Sequence, residues 1–130
     1  METKKNVLIV TDGAESTVKV AGEIAAVFTA ASPGSKVKVL KAADFVATDL
    51  LPADICFFGV EAPAPACFAG LEQLLLHINL AGRPGGLFAG SDKAAAYLRR
   101  IVRDSELRIS AKPFVAGKSG SVKAWTKTVK

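Results

Sequence analysis

Three short runs hold most of the side chains in this 130-residue chain that could do chemistry: Asp12-Gly13-Ala14-Glu15-Ser16-Thr17, Glu61-Ala62-Pro63-Ala64-Pro65-Ala66 and Gly90-Ser91-Asp92-Lys93. The first places a glycine and two hydroxyls just ahead of an amphipathic segment. That is the make-up of a turn offering backbone N–H groups and hydroxyl donors to an anion at a helix start. Ser16 and Thr17 serve equally well as ordinary helix caps. Asp12 and Glu61 read either as an acid/base pair or as two solvated carboxylates. His77 is the only histidine, so no histidine cluster exists; on a predicted helix, near its end, it reads as a partly exposed surface residue. Cys56, inside an apolar run, and Cys67 form neither a CxxC pair nor a disulfide framework, and both read as small buried hydrophobes. Metal and thiol chemistry are therefore not expected, and no catalytic residue stands out.

The elements that must carry these runs follow from periodicity. Residues 7–10 form an apolar strand, and Val20, Ile24, Val27, Phe28 and Ala31 form a seam of helical period stopped by Ser32-Pro33-Gly34. Lys36-Val37-Lys38-Val39-Leu40-Lys41 alternates strictly and carries lysines at both ends, as a half-exposed edge strand does. Only residues 42–53 separate it from Asp54-Ile55-Cys56-Phe57-Phe58-Gly59-Val60, an apolar run, so that crossover must be short or irregular, and the strand itself is central. Phe68, Leu71, Leu75 and Ile78 make a further seam, residues 85–89 a buried strand, and Ala94, Leu98, Ile101 and Val102 a helix capped by Ser91 or Asp92. A fifth strand over about residues 107–115 contains Pro113, which lacks a ladder donor and belongs on an edge. Val122, Trp125 and Val129 mark one face of a closing helix.

Strands alternating with helices five times predict an α/β fold: a three-layer sandwich around a five-stranded parallel sheet of order 2-1-3-4-5, as one domain over residues 1–130. The crevice of such a sheet lies beyond the carboxyl ends of strands one and three, where the order reverses. All three chemistry-bearing runs line it.

On these residues the chain resembles the flavodoxin family. Thr17 followed by Ala21 and Ile24 has the family's spacing, Leu80-Ala81-Gly82-Arg83-Pro84-Gly85-Gly86-Leu87-Phe88 looks like its turn into strand four, and Asp54 to Gly59 and Trp125 fit as well. The resemblance implies flavin mononucleotide (FMN) as cofactor and electron transfer as function, the redox chemistry belonging to the flavin and not to catalytic residues of the protein. Carried onto this sequence, the site is Asp12, Gly13, Ala14, Glu15, Ser16 and Thr17 around the phosphate, with Glu61, Ala62, Pro63, Ala64, Gly90, Ser91 and Asp92 flanking the ring. The runs depart from the family's pattern. Asp12 and Glu15 stand where hydroxyl and glycine are usual, and neither ring loop holds an aromatic; Phe68 and Tyr97 are the nearest. A carboxylate about 5 Å from a phosphate repels each of its charges by about 3 kcal/mol at an effective dielectric of about 20. The helix N-terminus returns only about 1 kcal/mol. Flavin binding is therefore expected to be weakened or lost. Lys112-Pro113-Phe114 also resembles the end of the fifth strand in two-component receiver domains, with Asp12, Glu61 and Ser91 near their acidic and hydroxyl positions. The paired acids that hold their magnesium are missing, so a receiver of this kind would be degenerate.

Composition bounds the partners. Half the residues are hydrophobic and the formal charge is +5. Residues 99–130 hold nine Lys or Arg against two acids, a balance of +7, leaving −2 over residues 1–98. Such a basic rim suits an acidic redox protein or other acidic partner, or a merely solvated face. Nucleic acid is not expected, because no aromatics interleave with the cations. No run approaches the roughly 20 apolar residues of a membrane span, and a soluble cytoplasmic protein is expected. A cofactor-free interaction module using this rim is the alternative to the electron carrier.

Overall fold

The computed structural model describes residues 6–31, 34–109, 111–118 and 120–129. Residues 1–5, Ser32-Pro33 of the expected helix stop, Ser110 of the expected fifth strand and Lys130 of the basic set lie outside the described residues. The elements are β1 (Asn6–Thr11), α1 (Glu15–Ala31), β2 (Lys36–Lys41), β3 (Ile55–Val60), α2 (Ala69–His77), β4 (Gly85–Ala89), α3 (Asp92–Val102), β5 (Phe114–Val115) and α4 (Val122–Thr126). All neighbouring strands are parallel, in the order β2-β1-β3-β4-β5.

The apolar strands are covered on both faces because alternate residues feed two cores. Leu8, Val10, Cys56, Phe58 and Leu87 pack with Phe68, Leu71, Leu75 and Leu98 from the α2/α3 side. Val7, Ile9, Ile55, Phe57 and Phe88 pack with Ala21, Ile24, Val122 and Trp125 from the α1/α4 side. Period-2 side-chain alternation with no polar phase leaves a strand no solvent face, which is why all six residues of β3 are buried. On the α1/α4 side Phe57 meets Phe28 and Trp125 edge-on, with ring centres 5.8 Å apart in each pair, and Trp125 donates its indole N–H to the Lys112 carbonyl at 2.7 Å. Each fully buried aromatic or aliphatic side chain contributes about 2–3 kcal/mol to such a core.

The β2–β3 crossover is irregular, as its length requires. It holds two 3-10 turns, Ala42–Asp44 and Ala47–Leu50. Arg83 ties it to the approach of β4 by donating to the carbonyls of Leu50 (2.6 Å) and Ala53 (3.1 Å).

The four helices that the apolar seams predict are present among the described residues, and one expectation needs correction. The fifth strand is two residues long, not residues 107–115. Before it, among the described residues, the chain pairs through isolated bridges, Ala81 with Leu107 and Pro84 with Arg108, and the Gly85 N–H donates to the Arg108 carbonyl at 2.9 Å. Pro113, immediately ahead of β5, has no N–H to extend the ladder toward its start.

Candidate functional site

Parallel strands bring their carboxyl ends to one edge, and the register levels them. Thr11 of β1 stands opposite Gly59 of β3, and Val60 of β3 opposite Ala89 of β4. The three turns that follow therefore share a mouth at the point where the strand order reverses.

Asp12 organises that mouth. One oxygen of its carboxylate accepts the Ala14 N–H at 3.1 Å and the Thr17 hydroxyl at 2.5 Å; the other accepts the Glu61 N–H at 2.8 Å. The first turn is thus fastened to its own helix and to the second turn by a single side chain. Gly13 follows at φ +83°, a left-handed conformation that costs glycine little and other residues more. Thr11 supports the turn from below, its buried hydroxyl oxygen accepting the Gly13 N–H at 3.1 Å. Ser16 donates to the Glu61 carboxylate at 3.0 Å, a second tie between the same two turns. Glu15 is exposed.

The second turn is otherwise exposed from Glu61 to Ala64, and Ala64 holds φ +50°, an uncommon state for a residue with a side chain. The third turn backs directly onto the second. Gly90 donates its N–H to the Val60 carbonyl at 3.1 Å, and a Cβ at Gly90 would sit 2.5 Å from the Glu61 carbonyl oxygen. Ser91 caps α3 by accepting the Ala94 N–H at 3.2 Å. The Asp92 carboxylate is bonded by Lys118, beyond β5.

The sequence reading missed two residues here. Cys67, expected to be buried, is half-buried at the mouth, its thiol against the Asp12 carbonyl at 3.7 Å. Burial, then the nearby Asp12 charge, pushes its pKa up. Lys41 lays its aliphatic stem beside Gly13, with Cδ 3.4 Å from where a Cβ would stand. Cys56 is buried as expected, which raises its thiol to about 11.

Phe68 and Tyr97 are 0% and 4% exposed, with ring centres 6.5 Å apart in the core. Tyr97 donates its hydroxyl to Glu72 at 2.6 Å; burial first, then that bond and the Glu72 charge, pushes the phenol's pKa up. Among the described residues every aromatic side chain is buried or half-buried.

The donor set does not fit the flavin's phosphate as it stands. The Thr17 and Ser16 hydroxyls each donate to a carboxylate, and the Ala14 and Glu61 amides already serve Asp12. The first-turn amides of α1 lack intrahelical acceptors by helix geometry, and the Asp12 carboxylate, held by the Ala14 amide and the Thr17 hydroxyl, is an anion at that same helix start. Among the described residues no exposed ring is at hand for an isoalloxazine to stack on. Among the described residues no group of three or more His, Cys, Asp or Glu could hold a metal ion, as a receiver's chemistry would require.

No family model and no curated protein matches this sequence. Solved structures do. A short-chain flavodoxin associated with a PDU bacterial microcompartment superposes with a TM-score of 0.79 at 11% identity, over 98% of this chain and 97% of that one. The flavodoxin of Streptococcus pneumonia TIGR4 gives 0.76 at 16%, over 95% of each chain. A Fusobacterium nucleatum flavodoxin variant bound to flavin mononucleotide gives 0.66 at 16%, over 87% of this chain and 76% of that one. The fold is flavodoxin-like. No described helix is long and apolar enough to cross a membrane.

Proposed function

We propose that this chain is a small flavodoxin-like protein of the FMN electron-transfer lineage whose hold on the flavin is weakened or lost. The observation that carries this is the Asp12 carboxylate, which takes the Ala14 amide and the Thr17 hydroxyl at the turn where a flavin phosphate would need them, and ties that turn to the second through the Glu61 amide. A bound phosphate would have to displace that carboxylate, with Glu61 also close by. The flavodoxin-like fold and the flavin-bound neighbour support the lineage, and the occupied donors support the loss of affinity. Protein purified from riboflavin-supplied cells tests the reading. It is expected to be colourless and to lose added FMN on gel filtration. Yellow protein that releases stoichiometric FMN on denaturation would overturn it.

A second reading, a cofactor-free interaction module, is favoured by the charge distribution. Arg99, Arg100 and Lys112 are exposed near one sheet edge and, among the described residues, have no carboxylate partner. The expected rim is divided, because Lys123 and Lys127 line a separate groove against α1.

A further inference from the structure

We propose that the groove between α3 and the segment leading to β5 docks an acidic protein segment that carries one apolar anchor. This deepens the interaction-module reading and rests on it. The groove, about 470 Å³, is lined by Arg99, Arg100, Arg103, Val102, Leu107 and Ile109. Arg99 and Arg103 are four residues apart and so share one face of the helix and its following turn. Behind the guanidinium groups the groove's apolar surface is offered chiefly by half-buried Ile109, over the edges of the core residues Val102 and Leu107. Arg100 is held in part before any partner arrives, its guanidinium carbon 5.6 Å from the centre of the Tyr97 ring. Arg99 also lines the neighbouring groove of about 420 Å³ with Lys112, so the positive wall continues along the sheet edge, Lys118 there being paired with Asp92.

The local acids do not cancel this field. Asp104 meets Arg103 at 3.8 Å with both side chains more than half exposed, a geometry worth little in water. Asp92 is engaged by Lys118, and Glu106 is exposed on the turn after α3. Carboxylates flanking a leucine-like side chain complement this arrangement of cations around an apolar wall. Nucleic acid does not, because every described aromatic side chain is buried or half-buried and none offers a stacking face.

The test uses the full chain and a fluorescein-labelled peptide of glutamates around a single leucine, followed by anisotropy at low salt and by amide chemical shifts. The largest shifts are expected at Val102, Leu107 and Ile109. Arg99→Ser with Arg103→Ser should weaken binding about tenfold, whereas Lys123→Ser with Lys127→Ser, which removes the same charge, should weaken it less than about threefold. Replacing the peptide's leucine by serine should cost about fivefold. Equal losses from the two charge-removing pairs, indifference to the leucine, tighter binding of an oligo-dT of equal length, or no binding would each overturn the site. Colourless protein with any of those results overturns only the site. Yellow protein with stoichiometric flavin overturns the cofactor-free reading beneath it, whatever the peptide does.

Discussion

Removing the Asp12 side chain should destabilise the fold by an amount its hydrogen bonds allow to be worked out. Asp12→Ala deletes bonds from the Ala14 and Glu61 amides at 3.1 and 2.8 Å and from the Thr17 hydroxyl at 2.5 Å. Bonds to a charged acceptor are worth about 1.5–3 kcal/mol each at most, and less where water can replace the acceptor. Glu61 is exposed and its amide rehydrates. Thr17 is 3% exposed and has little access to water, but its hydroxyl has a second acceptor in the Ala14 carbonyl at 3.0 Å. These partial compensations bring the expected loss to about 2 kcal/mol in all. Asp12→Asn keeps one acceptor oxygen but turns an NH2 toward a donor, and should lose about 1 kcal/mol. Urea unfolding followed by tryptophan fluorescence reads both, with the midpoint falling and the slope unchanged. A loss below about 0.5 kcal/mol for Asp12→Ala would refute the reasoning, since it would mean that the carboxylate does not hold the turns together.

Gly90→Ala should be costlier than a surface glycine change, by about 1–3 kcal/mol, because its Cβ would stand 2.5 Å from the Glu61 carbonyl oxygen; thermal unfolding within experimental error of the parent would contradict that contact. Tyr97 is the only tyrosine, so its ionisation can be followed alone by ultraviolet absorbance. Its phenol titrates above the ordinary range in the folded state, so the native protein holds a proton that the unfolded chain releases near pH 10. Stability should therefore fall as pH rises past about 10, and native phenolate appearing at about pH 10 would contradict the burial and Glu72 bond given for it.

The architecture was legible because its signals are local. The alternation of Lys36–Lys41 against the unbroken apolar run of Ile55–Val60 separates an edge strand from a central one, and the observed order follows. The length between them excluded a regular helix, and two 3-10 turns stand there. The short β5 was less legible: Pro113 marked an edge, but where pairing fails depends on which β4 residues it meets. At the mouth, residue types pointed to an anion turn opposed by acids, but not to the use Asp12 makes of its carboxylate. The Glu61 amide it accepts is 49 positions away, and nothing local to Asp12 tells an inward carboxylate from a solvated one. Cys67 was misplaced because an unpaired cysteine usually behaves as a small buried hydrophobe, whereas here it packs on the core only in part and its thiol reaches the first turn.

The central claim is that Asp12 takes the donors a flavin phosphate would need. Titration of FMN against the wild-type chain and against Asp12→Thr with Glu15→Gly, read by quenching of flavin fluorescence, tests it most directly. Removing two like charges near the turn should raise affinity at least about tenfold, with saturable quenching in the variant at flavin concentrations where the wild type shows little. An unchanged dissociation constant, or a wild type that already binds as tightly as the variant, would contradict the account.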